Sequence, residues 1–355
     1  THVVELDLRG QPGCADLGVG EALKGLLIAN EAVQELNLAG AGLGSSGTAL
    51  LSSGWGLNAS LTDVSLAGNG CGDAGVHALV HALMQHALIE DVNLADNNIS
   101  SAGAAALAHV FRNTAIRVNL TGNDIDDAGA SSLAAAIKAN ATAVPTIQLA
   151  FNMIGPDGAC DLFEAMAGRN IHVLDLAHNQ IGESGAWALG AWLKSAGNVE
   201  QVNISGNSIT DTGNKYVMEA LETNTSVRYV NVAANGITQA GAGAVAAMLR
   251  RNSAIEHLDM SNNLLEDVGV SLLAPALRAN TSLIRVNLGC NEFGPAGARA
   301  AADALAGNRT IRRLDVSGND VCDEGVFCLA ESLTASASVS RIKEVELNDC
   351  NLTSS

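Results

Sequence analysis

Few residue sets in this sequence have the types and the spacing that chemistry requires. His77 and His81 stand four apart, with His109 at the place of His81 one repeat later, and two histidines at that helical spacing can ligate a metal ion. The same helix must bury Val76, Leu79 and Leu83, which turns the histidines outward, and no third ligand or supporting shell accompanies them. Asp124, Asp126 and Asp127 have the composition of a calcium cluster but not the order of an EF-hand loop, and Asp127 reads as a helix cap. No G-x-x-x-x-G-K-[ST], H-E-x-x-H or G-x-S-x-G motif occurs. The expectation is a chain with no catalytic residue set, no metal site and no cofactor.

What would position such residues is a unit repeated along the chain. Ile255 to Ser282 shows it: Ile255, Leu258, Met260 and Asn263 have the spacing L-x-x-L-x-L-x-x-N. The alternation at Leu258 and Met260 predicts a short strand, and Asn263 ends it in a turn. Leu265 continues the buried row, Asp267 is placed to cap a helix, and Val270, Leu273 and Leu277 follow at helical spacing. A unit of strand, turn and helix cannot bury its apolar side alone, so it needs neighbours stacked on both faces.

The Asn263 slot recurs as Gln11, Ala41, Asn69, Asn97, Asn123, Asn152, Asn179, Asn207, Asn235, Asn263, Asn291, Asn319 and Cys350. Six residues after each of those from Ala41 to Asn319 stands a glycine, from Gly47 to Gly325, which suggests a neighbouring backbone too close for a Cβ. From Asn152 to Asn319 the slots fall 27 or 28 residues apart, long enough for a helix in every unit. The consensus LxxLxLxxNxIxxxGaxaLaxaLxxN resembles the ribonuclease-inhibitor-like class of leucine-rich repeats over nearly the whole chain. The resemblance implies a right-handed α/β horseshoe of about thirteen repeats, with an inner parallel sheet and outer helices. It also implies that Asn69, Asn97, Asn123, Asn152, Asn179, Asn207, Asn235, Asn263, Asn291 and Asn319 form a structural ladder bonding the backbone of the turns. Residues 1–355 read as one solenoid domain: irregular first repeats over 1–60, regular ones over 61–332, and a terminal strand over 333–355 that is an incomplete cap. The first unit (Val3, Leu6, Leu8, Gln11) lacks the asparagine, and SSGWGLNAS around Trp55 is irregular. A shortened turn is expected near Asn113. The chain ends after Val345 and Leu347 with no helix, which predicts a missing segment or a covering partner.

Composition narrows the function classes. Hydrophobic residues are 48% and aromatics 3%, so the core must be built of Leu, Val, Ile and Ala in thin layers. A net charge of −18 and a pI near 4.7 repel phosphate backbones and anionic lipid surfaces, against a nucleic-acid or membrane binder. No apolar run approaches the roughly 18 residues needed to span a bilayer, and no signal peptide is visible. The seven cysteines, Cys14, Cys71, Cys160, Cys290, Cys322, Cys328 and Cys350, form no regular framework and predict free thiols in a reducing, cytoplasmic compartment. Asn-x-Ser/Thr triplets at Asn140, Asn224 and Asn280 arise from the repeat consensus rather than as glycosylation signals.

The informative positions lie between the buried strand residues, because these must face the concave side. In order they are Glu5, Glu35, Asp63, Asp91, Arg117, Thr146, Val173, Gln201, Tyr229, His257, Arg285, Arg313 and Glu344. With strands about 4.8 Å apart the row spans about 60 Å, acidic in its first third and aromatic to basic near its end. Glu5, Glu35, Asp63 and Asp91 are the candidate seat for a basic helix or tail. Tyr229, His257, Arg285 and Arg313, with Arg312 alongside, have the composition of an interface hot spot. The expected function is non-catalytic binding of a protein partner on the concave face. Family likeness leaves two rivals: a GTPase-activating protein similar to the Ran activator, for which Arg9 is the one early arginine, and a structural subunit of a ciliary or cytoskeletal assembly.

Overall fold

The computed structural model describes residues 4–12, 17–140, 146–335 and 340–353; Val3 and Cys14 lie outside them. The chain forms two compact units, Thr1–Asn179 and Gln180–Ser355. In the first, strands β1 (Glu5–Asp7), β2 (Glu35–Asn37), β3 (Asp63–Ser65), β4 (Asp91–Asn93), β5 (Arg117–Asn119), β6 (Thr146–Gln148) and β7 (Val173–Asp175) alternate with helices α1 (Leu17–Ala29), α2 (Gly44–Trp55), α3 (Gly72–Gln85), α4 (Ser101–Asn113), α5 (Asp127–Ala139) and α6 (Pro156–Ala165). The second holds α7 (Gly182–Leu193), β8 (Gln201–Asn203), α8 (Thr210–Leu221), β9 (Tyr229–Asn231), α9 (Gln239–Arg251), β10 (His257–Asp259), α10 (Glu266–Ala279), β11 (Arg285–Asn287), α11 (Pro295–Gly307), β12 (Arg313–Asp315), α12 (Cys322–Ala335) and β13 (Glu344–Glu346).

Each unit is an α/β solenoid in which consecutive strands pair in parallel without a shift of register. Glu5, Glu35, Asp63, Asp91 and Arg117 stand side by side in the first. In the second the row is Gln201, Tyr229, His257, Arg285, Arg313 and Glu344. Each strand is three residues long, and from β2 to β12 its middle residue is buried, as at Leu36, Val64, Val92, Val230 and Leu258. A parallel sheet is normally covered on both faces; here the helices cover one, and the other keeps polar residues in every strand.

Amide ladders hold the stack together. Asn97 is fully buried; its Nδ2 donates to the Leu66 and Ala95 carbonyls at 2.9 Å, and its Oδ1 accepts from the Asn69 and Cys71 amides at 3.2 and 3.1 Å. One side chain thus satisfies backbone groups in two successive repeats, where an unmet group would cost about 1–3 kcal/mol. A second amide row closes the helix ends: Asn252 donates to the Leu221 and Asn224 carbonyls and accepts from the Ala254 and Ile255 amides. Asn140, Asn224 and Asn280 belong to this row, so the Nδ2 that a glycan would need is already bonded to backbone carbonyls, at 2.8 Å to Leu249 for Asn280. His86 stands in the same row and mimics half of it. Its Nδ1 accepts from Leu88 and Ile89, while its buried Nε2 finds no partner among the described residues.

Two readings of the helix starts change. Asp126, not Asp127, caps α5, accepting from Ala128 and Gly129 at 2.9 and 3.2 Å. Asp127 reaches forward instead to the Gly155 and Gly158 amides at 2.6 and 2.9 Å. Asp267 likewise lies inside α10 and accepts from Gly294 and Gly297, at 2.8 and 2.7 Å, at the start of α11. Asp73 and Asp211 do the same for the next helices. The recurrent glycine has a related cause: a Cβ on Gly297 would stand 2.8 Å from Phe293 Cβ and 2.9 Å from Asp267 Oδ1. Side chains, more than backbone, exclude it there. α2 ends at Trp55, whose ring is fully buried, and a turn at Gly56 and Leu57 follows it. After α4 the connection to β5 shrinks to 114–116, against 86–90 in the preceding repeat.

Candidate interaction surfaces on the strand faces

In the first unit, Glu5, Glu35, Asp63 and Asp91 line a shallow groove floored by Asn37, Ser65 and Asn93. Glu5 and Glu35 are exposed and the aspartates half-buried. Strand pairing forces these carboxylates together, since each projects from the same strand position. Arg117 closes the row. Its Nε donates to Asp91 Oδ1 at 2.6 Å, a second arm meets Asp91 Oδ2, and Glu90 stands 3.8 Å away. The hydrogen bond to Asp91, more than the neighbouring charges, pushes the guanidinium pKa up. Asp91 is therefore neutralised within the fold, whereas Glu5, Glu35 and Asp63 make no ion pair among the described residues. Arg9 and Arg117 act on Glu5 and Asp63 only through longer-range attraction. Arg9 itself is held by Asp7, Nε to Oδ1 at 3.0 Å and Nη2 to Oδ2 at 2.7 Å.

In the second unit, Tyr229, His257, Arg285 and Arg313 stand over Asp259, Asn287, Asp315 and Glu346. The Tyr229 and His257 rings lie 6.3 Å apart, tilted by 41°. Burial, and then the Arg285 charge, lower the His257 pKa, which favours the neutral imidazole. This surface is less basic than its row of strand residues implies. Arg313 is bonded to Glu346, its Nε at 2.6 Å from Oε1, with Glu344 3.6 Å away. Asp259 Oδ1 caps the Ser261 amide at 2.9 Å while its Oδ2 accepts from Asn287 Nδ2 at 3.2 Å. Arg285 makes no ion pair among the described residues, and Arg312 is exposed. The acidic members Asp259, Asp315 and Glu346 belong to the next outward-facing row, two residues after the charge row, where the same periodicity could have found them.

His77, His81 and His109 are exposed on α3 and α4. Among the described residues no three His, Cys, Asp or Glu side chains are placed to hold a metal ion. Cys71, Cys290, Cys322, Cys328 and Cys350 form no disulfide among the described residues, and burial pushes the Cys71 thiol up to about 11. No helix among the described residues is long and apolar enough to cross a membrane.

The Leucine Rich repeat family model matches seven segments, residues 86–108, 113–134, 169–190, 223–246, 251–274, 279–300 and 307–330. No curated protein sequence matches the chain. Among solved structures, the yeast Rad7 and Elc1 complex is similar with a TM-score of 0.59 at 13% identity, over 90% of this chain and 81% of that one. An internalin (inlF) from Listeria monocytogenes is similar with a TM-score of 0.54 at 15% identity, over 97% and 87%. A fragment of leiomodin-1, its actin-binding site 2, covers 42% of this chain and 88% of its own, with a TM-score of 0.37 and 22% identity. With strand, asparagine turn and helix repeated through both units and the family model matched seven times, the chain belongs to the leucine-rich-repeat proteins.

Proposed function

We propose that the chain is a non-catalytic scaffold of the ribonuclease-inhibitor-like class that binds protein partners on its strand faces, a basic segment on β1 to β4 and a separate surface on β9 to β12. Leucine-rich repeats serve in general as protein-interaction modules, and the side chains that could contact a partner are the ones left between the buried strand positions. One observation carries the reading: Glu5, Glu35 and Asp63 stand directly opposite one another on adjacent strands. Like charges so placed destabilise a sheet, and Arg9 and Arg117 answer them only through longer-range attraction. A partner bearing Lys or Arg along one face would meet several carboxylates at once and turn repulsion into attraction. In the second unit, an aromatic side chain and an arginine without an ion pair among the described residues have the composition of a binding hot spot. A reducing cytoplasmic setting fits Cys71, Cys290, Cys322, Cys328 and Cys350, which form no disulfide among the described residues.

Electrostatics of this kind sets association rate and register more than final affinity. Glu35→Lys combined with Asp63→Lys should therefore slow association of the co-purifying basic partner and flatten its dependence on salt. An unchanged association rate and salt slope would remove the acidic row from the interface.

A further inference from the structure

At the edge of the first unit just beyond the strands, the slot before the repeat-asparagine position lies in the left-handed backbone region. Gly40, Gly68 and Gly122 fill it at φ 64°, 67° and 69°, as suits a residue without a Cβ. Two successive repeats place rings there instead, Phe151 at φ 53° and His178 at φ 52°. A bulky residue is an outlier in that region, and the core gains nothing from this one, since Phe151 is 55% exposed beside Met153 at 47%. The rings stack face to face, with centroids 4.1 Å apart and planes within 17°.

Backbone bonds fix what stands next to them. Asp96 donates its amide to the Thr121 carbonyl, Gly122 to Ala150 and Phe151 to Ala177, so the row runs Asp96, Gly122, Phe151, His178. Gly122 leaves its step open and the Asp96 carboxylate leans across it, its Cγ 3.0 Å from where a Gly122 Cβ would be. Asp96 and Asp124 are both exposed, and neither makes an ion pair among the described residues. The carboxylate thus fills the Gly122 step, about one strand spacing of 4.8 Å from Phe151, within reach of a cation stacked on that ring.

We infer that this edge is an anchor for an arginine side chain of a protein partner, with the guanidinium stacked on Phe151 and its N–H groups on Asp96. The inference rests on the reading that the first unit binds a basic segment, and it names the residue type that fixes that segment's position. A planar guanidinium can stack on the ring and donate sideways to the carboxylate at once, which a lysine ammonium cannot.

The test compares a short labelled arginine-rich peptide with a lysine-rich peptide of equal charge, by fluorescence anisotropy at about 0.15 M salt, where long-range attraction is screened. Wild type should prefer the arginine peptide. Phe151→Ala and Phe151→Leu should each weaken it by about two- to fivefold and erase the preference, the scale of an exposed cation–π contact. Phe151→Tyr should retain the preference, and Asp96→Asn should reduce it. If Phe151→Leu keeps the preference while Glu35→Lys with Asp63→Lys weakens both peptides, the strand-face reading stands and the arginine anchor is wrong. If neither peptide binds wild type, the basic-partner reading fails and the anchor fails with it.

Discussion

Asp267 accepts from the Gly294 and Gly297 amides, so removing its carboxylate should loosen α11 rather than α10. Those amides are orphan donors at a helix start and the carboxylate also sits at the positive end of the helix dipole. Asp267→Ala should lower stability by about 0.5–2 kcal/mol, the range of a lost cap. It should also speed hydrogen exchange in the first turn of α11 while α10 keeps its protection; faster exchange confined to α10 would restore the local cap that sequence spacing suggests. The same scale contains His86, whose Nε2 lies buried without a partner among the described residues, where other repeats have an amide. Burial lowers its pKa from 6.5, so the unfolded chain binds the proton more readily than the folded one. Its contribution to stability is therefore full above about pH 6.5 and is lost as pH falls from there through the lowered folded value. His86→Asn should remove that pH dependence and add about 1 kcal/mol, by supplying a donor to carbonyls of the preceding repeat. Melting curves of both proteins at pH 5 and 7.5 check it: a loss for wild type on acidification as small as for His86→Asn would contradict the assignment. The asparagine ladder was legible in the sequence because the slot recurs with one residue type. The trans-repeat aspartates were not, because a carboxylate at the start of one helix caps that helix or the next with equal economy of sequence.

At the scale of elements, the strand row of the first unit was legible because period-two alternation leaves only one register that keeps Leu36, Val64 and Val92 buried. It fixes which residues are neighbours and hence the repulsion among Glu35, Asp63 and their flanking acids. Asp63→Asn should raise the stability of the free protein by about 0.2–1 kcal/mol, more at low salt than at high salt. A loss of stability would mean that Asp63 is paired in solution and that its row is not held open for a partner. The charge of the second unit was less legible. Arg313 is neutralised by Glu346, 33 residues away in sequence, and the longer connection before β13 hides that pairing from any count of 27 or 28. Asp259 and Asp315 face the same groove because strands this short and exposed present two outward rows. Helix starts conceal the reason for the recurrent glycine in a similar way: the crowding comes from side chains of the previous repeat as well as from Phe293 within its own.

For the whole molecule, repetition made the fold class readable from end to end, while function depends on the positions where the repeats differ. A solenoid tolerates almost any polar residue on its open strand face, so folding alone leaves those positions free. The central claim is that these strand faces, and not the exposed helices, meet the partner. The most direct measurement is surface-binding kinetics of the co-purifying partner against wild type, Arg285→Glu, Glu35→Lys with Asp63→Lys, and His81→Ala on the exposed side of α3. The account predicts that at least one strand-face variant loses tenfold or more in affinity, about 1.4 kcal/mol, while His81→Ala binds as wild type. Weakened binding by His81→Ala with both strand-face variants intact would place the partner on the helices and contradict it.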